Sequence, residues 1–317
     1  MLGRRQLREK VMQAIYAYNS QGSDSDVRII EKNMMKGIDQ IYDLYLYLLN
    51  TILIQKDIAL EKIEIGKTKN FPTQEDLHPN MKFVDNKVFH ILSINNELND
   101  YVSKNKQISW DIYDSYPNNI YKSLIKSDLY VDYMKSEIHS LDEDKAFITQ
   151  FFVNFIADNE GLHDWFEEQH INWVDDIHIA NTMVYNTIQS FTTKSGENIR
   201  LFKVYKDEED QKFAQDLFRL TVKHQSQNKE FIGEMAENWE LDRIAAVDLI
   251  ILEMAITEFK RFPSIPTKVT INEYIELAKN YSTEKSRIFV NGILDKALRK
   301  LTDSNQVNKF GRGLFEK

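Results

Sequence analysis

An all-α fold is what this sequence predicts, and three observations carry the prediction. The 317 residues include only 10 Gly and 5 Pro, too few for the tight turns of a sandwich or barrel. Apolar residues recur at helical spacing along most of the chain. A hydrophobic content of 42% with 12% aromatics belongs to a chain that folds rather than to a disordered one.

Taken in order, the first segment runs from Arg5 to about Ser20 and puts Leu7, Val11, Ala14, Ile15 and Tyr18 on one helix face. Arg5, Arg8, Glu9, Met12, Gln13 and Tyr16 fall opposite, where side chains are expected to be solvent-accessible. The polar stretch Gln21–Asp26 is a turn. Val27 to about Ile65 carries Ile30, Met34, Ile38, Ile41, Tyr45, Leu48 and Ile52, the pattern of one long helix or two. Gly66–Asn80, with Pro72 and Pro79, reads as a loop. Met81 to about Gln189 holds further apolar and aromatic segments, broken near Asn118, Asn159–Gly161 and Asp175–Asp176.

The last third is patterned most clearly. Gln211–Lys223 presents Phe213, Leu217 and Leu220 along one side. Leu241–Phe259 is apolar on nearly every side, as a central buried helix is. Pro263 and Pro266 end it. A helix over about Lys268–Asn280 follows, with Ile271, Tyr274, Ile275 and Ala278 on one face. Ser282 or Thr283 then caps a final helix whose Val290, Ile293, Leu294, Ala297 and Leu301 face a core. Beyond Thr302 the tail is polar and expected to be loose.

Several function classes drop out early. With no Cys there are no disulfides, thiolate metal sites or thiol nucleophiles. The densest apolar run, Leu44–Ile54, is far shorter than the roughly 20 residues that span a bilayer. Nothing near the N-terminus resembles a signal peptide, so a cytoplasmic location is expected. Gly66-Lys67-Thr68 is not a phosphate-binding loop, because Glu61 stands where that motif needs its first Gly. His163, Glu167 and His170 lack a metal-site spacing such as His-Glu-x-x-His. Asp248 and Glu253 interrupt an apolar helix five residues apart, pointing in different directions, which suits partner contacts or bundle-edge exposure better than a catalytic pair. No enzyme chemistry, metal or cofactor is expected.

One cluster asks for a function. Arg4, Arg5, Arg8 and Lys10 stand together at the start of a chain whose net charge is −9. A cationic cluster on an acidic protein suits a polyanion such as RNA, and arginine's planar fork fits phosphates and stacks on bases.

Two separated stretches resemble the NusB family of transcription antitermination factors. One is Arg4-Arg5-Gln6-Leu7-Arg8-Glu9 leading into Gln13-Ala14-Ile15-Tyr16; the other is Val269-Thr270-Ile271-Asn272-Glu273-Tyr274-Ile275-Glu276-Leu277-Ala278-Lys279, followed by Phe289-Val290-Asn291-Gly292-Ile293-Leu294-Asp295-Lys296. Within the second, Gly292 is locally unfavourable in a helix by about 1 kcal/mol against Ala, so a close helix contact is expected there. The resemblance implies a NusB-like helical bundle from residues 1–21 and 207–302, a large helical insertion over 22–206, part of whose 144–190 could belong to the core, and a flexible tail over 303–317. It implies binding of boxA-type single-stranded RNA from ribosomal leader transcripts, with a NusE-like small-subunit ribosomal protein, within an antitermination complex. Mapped onto this chain, the RNA-binding residues are Arg4 as a flexible arm, Arg5, Arg8, Lys10 and Tyr16, then Tyr281, Lys285 and Phe289 between the last two helices. Family members often carry an acidic residue at the Lys285 position, so this lysine departs from the pattern. A helical interaction scaffold without RNA binding is the alternative. A NusB-like domain attached to a ribosomal RNA cytosine methyltransferase fits worst, since that chemistry needs a Cys.

Overall fold

The computed structural model describes residues 2–22, 26–105, 110, 115–196, 199–236 and 243–314, and among these every regular element is helical. In chain order the helices are α1 Arg4–Gln21, α2 Val27–Lys67, α3 Gln74–Leu77, α4 Lys87–Ser93, α5 Asn96–Lys104, α6 Ser115–Leu124, α7 Asp128–Lys135, α8 Leu141–Phe151, α9 Glu160–Gln169 and α10 Trp173–Ser190. Then come α11 Glu208–Lys223, α12 Gln225–Met235, α13 Ala246–Arg261, α14 Thr267–Tyr281 and α15 Glu284–Asp303. Among the described residues no helix is long and apolar enough to cross a membrane. The chain divides into two compact units, one of Asp39–Val204 and one joining Leu2–Ile38 to Tyr205–Lys317.

The Asp39–Val204 unit is organised along α2, which is a single helix of 41 residues. Its Ile41, Leu44, Tyr45, Leu48 and Ile52 are fully buried. The shorter helices are started by side-chain caps: Asn86, Asn95, Ser127, Ser140 and Asn159 each accept a hydrogen bond from a backbone N–H of the turn that follows. Tyr47, Trp110 and Trp165 pack with ring centroids 4.8–5.3 Å apart, and Tyr133 stacks on Phe147 at 3.9 Å. Such contacts add to the apolar burial that holds the unit together. Between α8 and α9, residues Phe152–Ala157 wind as a π-helix.

In the other unit α13 is central. It packs against α1, α11, α12, α14 and α15, which is why the sequence is apolar around its whole circumference. The part of the expected helix at Leu241 lies outside the described residues. Thr283, one of the two expected caps, accepts the Ser286 N–H at the start of α15. Helix α1 lies against both α11 and α13, so its buried arc is wider than one stripe. Leu7, Val11 and Ile15 are fully buried as their spacing predicts, but Met12 and Arg8, expected on the open face, are only 3% and 2% exposed.

Three further expectations are corrected here. Asp248 and Glu253 are not at a bundle edge; both are buried, because a helix surrounded by five others has no edge. Gly292 is not the seat of a close helix contact, since a Cβ built there meets nothing within 4 Å. Finally, residues 309–314 turn back onto Pro263 rather than trailing away: the Phe310 N–H donates to the Pro263 carbonyl at 3.2 Å, and Gly311–Leu314 form a 3-10 turn.

Candidate nucleic-acid interface

The N-terminal arginines sit where α1 begins, and each has been drawn toward a carboxylate. Arg8 forms a buried, two-pronged ion pair with Glu258 of α13, Nε to Oε2 at 2.9 Å and Nη2 to Oε1 at 2.8 Å. The same carboxylate accepts the Thr270 hydroxyl at 2.7 Å and the Tyr274 hydroxyl at 3.2 Å, both from α14. The guanidinium also lies over the rings of Phe213 and Tyr274. Burial works against the Arg8 charge, but Glu258 outweighs it and holds the group above its ordinary pKa. One ion pair therefore joins α1, α11, α13 and α14, and Arg8 cannot reach a phosphate without breaking it.

Arg5 is half-exposed and grips Glu273 of α14 with Nε and Nη2, at 2.9 and 2.8 Å. That hydrogen-bonded pairing raises the Arg5 pKa and lowers that of Glu273. Arg4 is the first residue of α1 rather than a flexible arm: its Nε donates to Asp210 of α11 at 2.9 Å, and its guanidinium lies over Phe213. Lys10 is buried as well. Tyr16 remains 48% exposed.

Beside the two outer arginines lies a cleft of about 660 Å³, lined by Gly3, Arg4, Arg5, Ser264, Val269 and Arg312 among others. Its lining mixes the apolar Ile265, Pro266 and Val269 with Arg4, Arg5, Arg8, Arg312 and the carboxylate of Glu273. Such a lining can take a strand with phosphates on guanidinium groups and less polar parts on the apolar side chains. Tyr281, Lys285 and Phe289 are not among its walls; they lie at the end of α14 and the start of α15, Lys285 exposed and the two rings half-buried.

Sequence reasoning missed Glu258, Glu273, Asp210 and Arg312. Glu258 did leave a signal, because an acid inside a helix that is apolar all round must either find a polar partner or give up its charge. The other weighed residues have local partners. His163 Nε2 lies 2.7 Å from the Ala157 carbonyl, while the His170 ring packs on Trp173. Glu253 accepts from Gln225 Nε2 at 2.9 Å, and burial pushes its carboxyl up to about 7. Among the described residues no group of His, Asp and Glu is placed to hold a metal.

The NusB family model matches residues 174–299. The chain is 48% identical over 103 residues to the transcription antitermination protein NusB of Salinibacter ruber, covering 32% of this chain and 64% of that one. It is 49% identical over 80 residues to the protein of the same name from Natranaerobius thermophilus, 25% and 53% of the two chains. The aligned stretches thus span between about half and two thirds of these relatives. A solved structure of T. maritima NusB is 28% identical, covers 44% of this chain and 85% of its own, and superposes with a TM-score of 0.29. The matched segment takes in α10 from the Asp39–Val204 unit as well as α11–α15. By the family model and the two curated relatives, residues 174–299 are similar to the NusB family.

Proposed function

We propose that this protein is a non-enzymatic transcription antitermination factor that holds boxA-type single-stranded leader RNA together with a NusE-like small-subunit ribosomal protein. The observation that carries this reading is the arginine-lined cleft at the start of α1, in the unit that also holds most of the family match. In this reading Arg5 supplies a phosphate contact by exchanging the part-exposed Glu273 for an RNA phosphate, and Arg4 supplies one by turning its part-exposed guanidinium away from the buried Asp210. Arg8 has a different role: it fixes α1 against α13 and α14 so that Arg5 stands at the cleft. Tyr16, Tyr281, Lys285 and Phe289 are further RNA contacts along the strand, the rings offering faces for unpaired bases; Lys10 is too buried to be one. The mechanism is assembly, with two weak contacts becoming tight when both partners bind the same protein.

The test is a titration of boxA-like RNA with and without the ribosomal protein. RNA binding that falls steeply with salt and tightens in the presence of the protein partner is the expected result. Binding of the ribosomal protein without any RNA affinity would replace this reading with that of a helical interaction scaffold.

A further inference from the structure

Resting on the RNA-binding reading above, we infer that the strap of residues 309–314 is a second RNA-gripping element, with Phe310 as a stacking platform for a base and Arg312 as the principal phosphate contact of the cleft. The N-terminal arginines are heavily committed: Arg8 is enclosed with Glu258, Arg5 is held by both oxygens of Glu273, and Arg4 by Asp210. Arg312 is differently placed. It lines the same cleft, its side chain is 79% exposed, and it stands 4.0 Å from Glu209, which is itself exposed. Its charge is thus the least neutralised on the cleft wall, and an RNA phosphate has little to displace there.

The strap is built to hold that position. The Lys309 ammonium donates to the carbonyls of Phe262 at 3.0 Å and Glu258 at 3.4 Å, capping the end of α13. Gly311 turns the chain at a φ of +55°, which residues with a Cβ adopt rarely. Gly313 then passes so close to Pro263 that a Cβ there would stand 2.0 Å from the carbonyl oxygen. Backbone and lysine are therefore directed inward, and Phe310, 62% exposed, is turned outward. An exposed ring two residues from an exposed guanidinium, flanked by glycines, is the combination that binds single strands with little regard to sequence.

The experiment measures wild type, Arg312→Gln, Arg312→Lys, Phe310→Ala and Gly313→Ala against a short single-stranded RNA over a range of salt, with a thermal melt of each. Arg312→Gln is expected to lower the slope of log affinity against log salt by about 0.7, the value for one phosphate contact on a single strand. Arg312→Lys keeps that slope. Phe310→Ala weakens binding by about fivefold or more, with little change in slope. Gly313→Ala lifts the strap from Pro263 and reproduces the Arg312→Gln slope while Arg312 is still present. If wild type binds and the Arg312→Gln and Phe310→Ala proteins bind equally well, or better, the strap is not an RNA contact although the cleft reading stands. If folded wild type does not bind RNA at any salt, the cleft reading falls and this inference falls with it.

Discussion

The two units handle buried charge differently. In Asp39–Val204 the interior is mainly rings and aliphatic side chains, such as Tyr47, Trp110, Trp165 and Ile148, with Lys82, Asp144 and Asp176 also buried. In the other unit a buried arginine grips a buried carboxylate, Arg8 with Glu258, and Glu253 and Asp248 are buried on the same central helix. Apolar packing is non-directional and tolerates exchange of shapes. An arginine gripping a carboxylate by two parallel hydrogen bonds accepts almost no substitute. The charged interior thus fixes which helices meet, joining α1 to elements some 250 residues away in the chain.

The sharpest way to break this comparison is Arg8→Ala, which leaves Glu258 buried with its charge and without its counter-ion. A loss of about 3–5 kcal/mol is expected, read by chemical denaturation. Arg8→Lys keeps the charge but not the two-pronged geometry and should also cost clearly more than Ile148→Leu in the ring-lined unit, where about 1.5 kcal/mol or less is expected. Equal costs for these two conservative changes would show that the charged interior is no more exacting than the apolar one.

Glu253 gives the next largest effect, and it depends on pH. Burial raises its folded pKa to about 7, with the Gln225 hydrogen bond and Lys229 pulling the other way. A group raised on folding contributes stability that is fully present below its unfolded pKa, about 4.3, and lost as pH rises through about 7. Wild type should therefore lose stability on the order of 3 kcal/mol across that interval from this group. Glu253→Gln should remove this slope, keeping a polar group opposite Gln225. A denaturation series in which both proteins share the same pH slope would exclude the assignment.

What was legible in the sequence follows the same division. Helical periodicity found α1, α2 and α11 and the last two helices, because one apolar stripe against one neighbour leaves a period of 3.6. It failed where a helix is enclosed on several sides. Arg8 and Met12 stand about 100° round α1 from Leu7 and Val11, and a single-stripe reading assigns them to water. Which arginines are spent internally depends on Glu258, Glu273 and Asp210, more than 200 residues away, and periodicity carries no information about pairing at that distance. The return of Lys309–Leu314 onto Pro263 was hidden for another reason: the strap is held by backbone carbonyls and two glycines, which make no hydrophobic pattern.

Gly292 is a smaller test of the same point. With open space around its Cβ position, it serves no packing role in α15, and Gly292→Ala should stabilise the protein by about 0.5–1 kcal/mol through helix propensity alone. Destabilisation in a thermal melt would mean that a close contact exists after all.

Arg5→Ala is expected to have the smallest effect on stability, and its value lies in separation from Arg8. Both arginines grip a carboxylate with two hydrogen bonds, but Glu273 is 19% exposed and also stands 3.8 Å from Arg8, whereas Glu258 is fully buried, so the carboxylate left by Arg5 keeps some water and a second arginine and the one left by Arg8 keeps neither. The stability change should be about 0.5 kcal/mol. If Arg5 also contacts RNA, the salt slope of RNA binding falls by about 0.7 in a protein that remains folded. A joint change of Arg5 and Arg8 would confuse unfolding with lost affinity, whereas Arg5→Ala alone tests the contact. Should it cost as much stability as Arg8→Ala, the outer pair is part of the interior framework, and phosphate binding at the cleft would rest on Arg4 and Arg312.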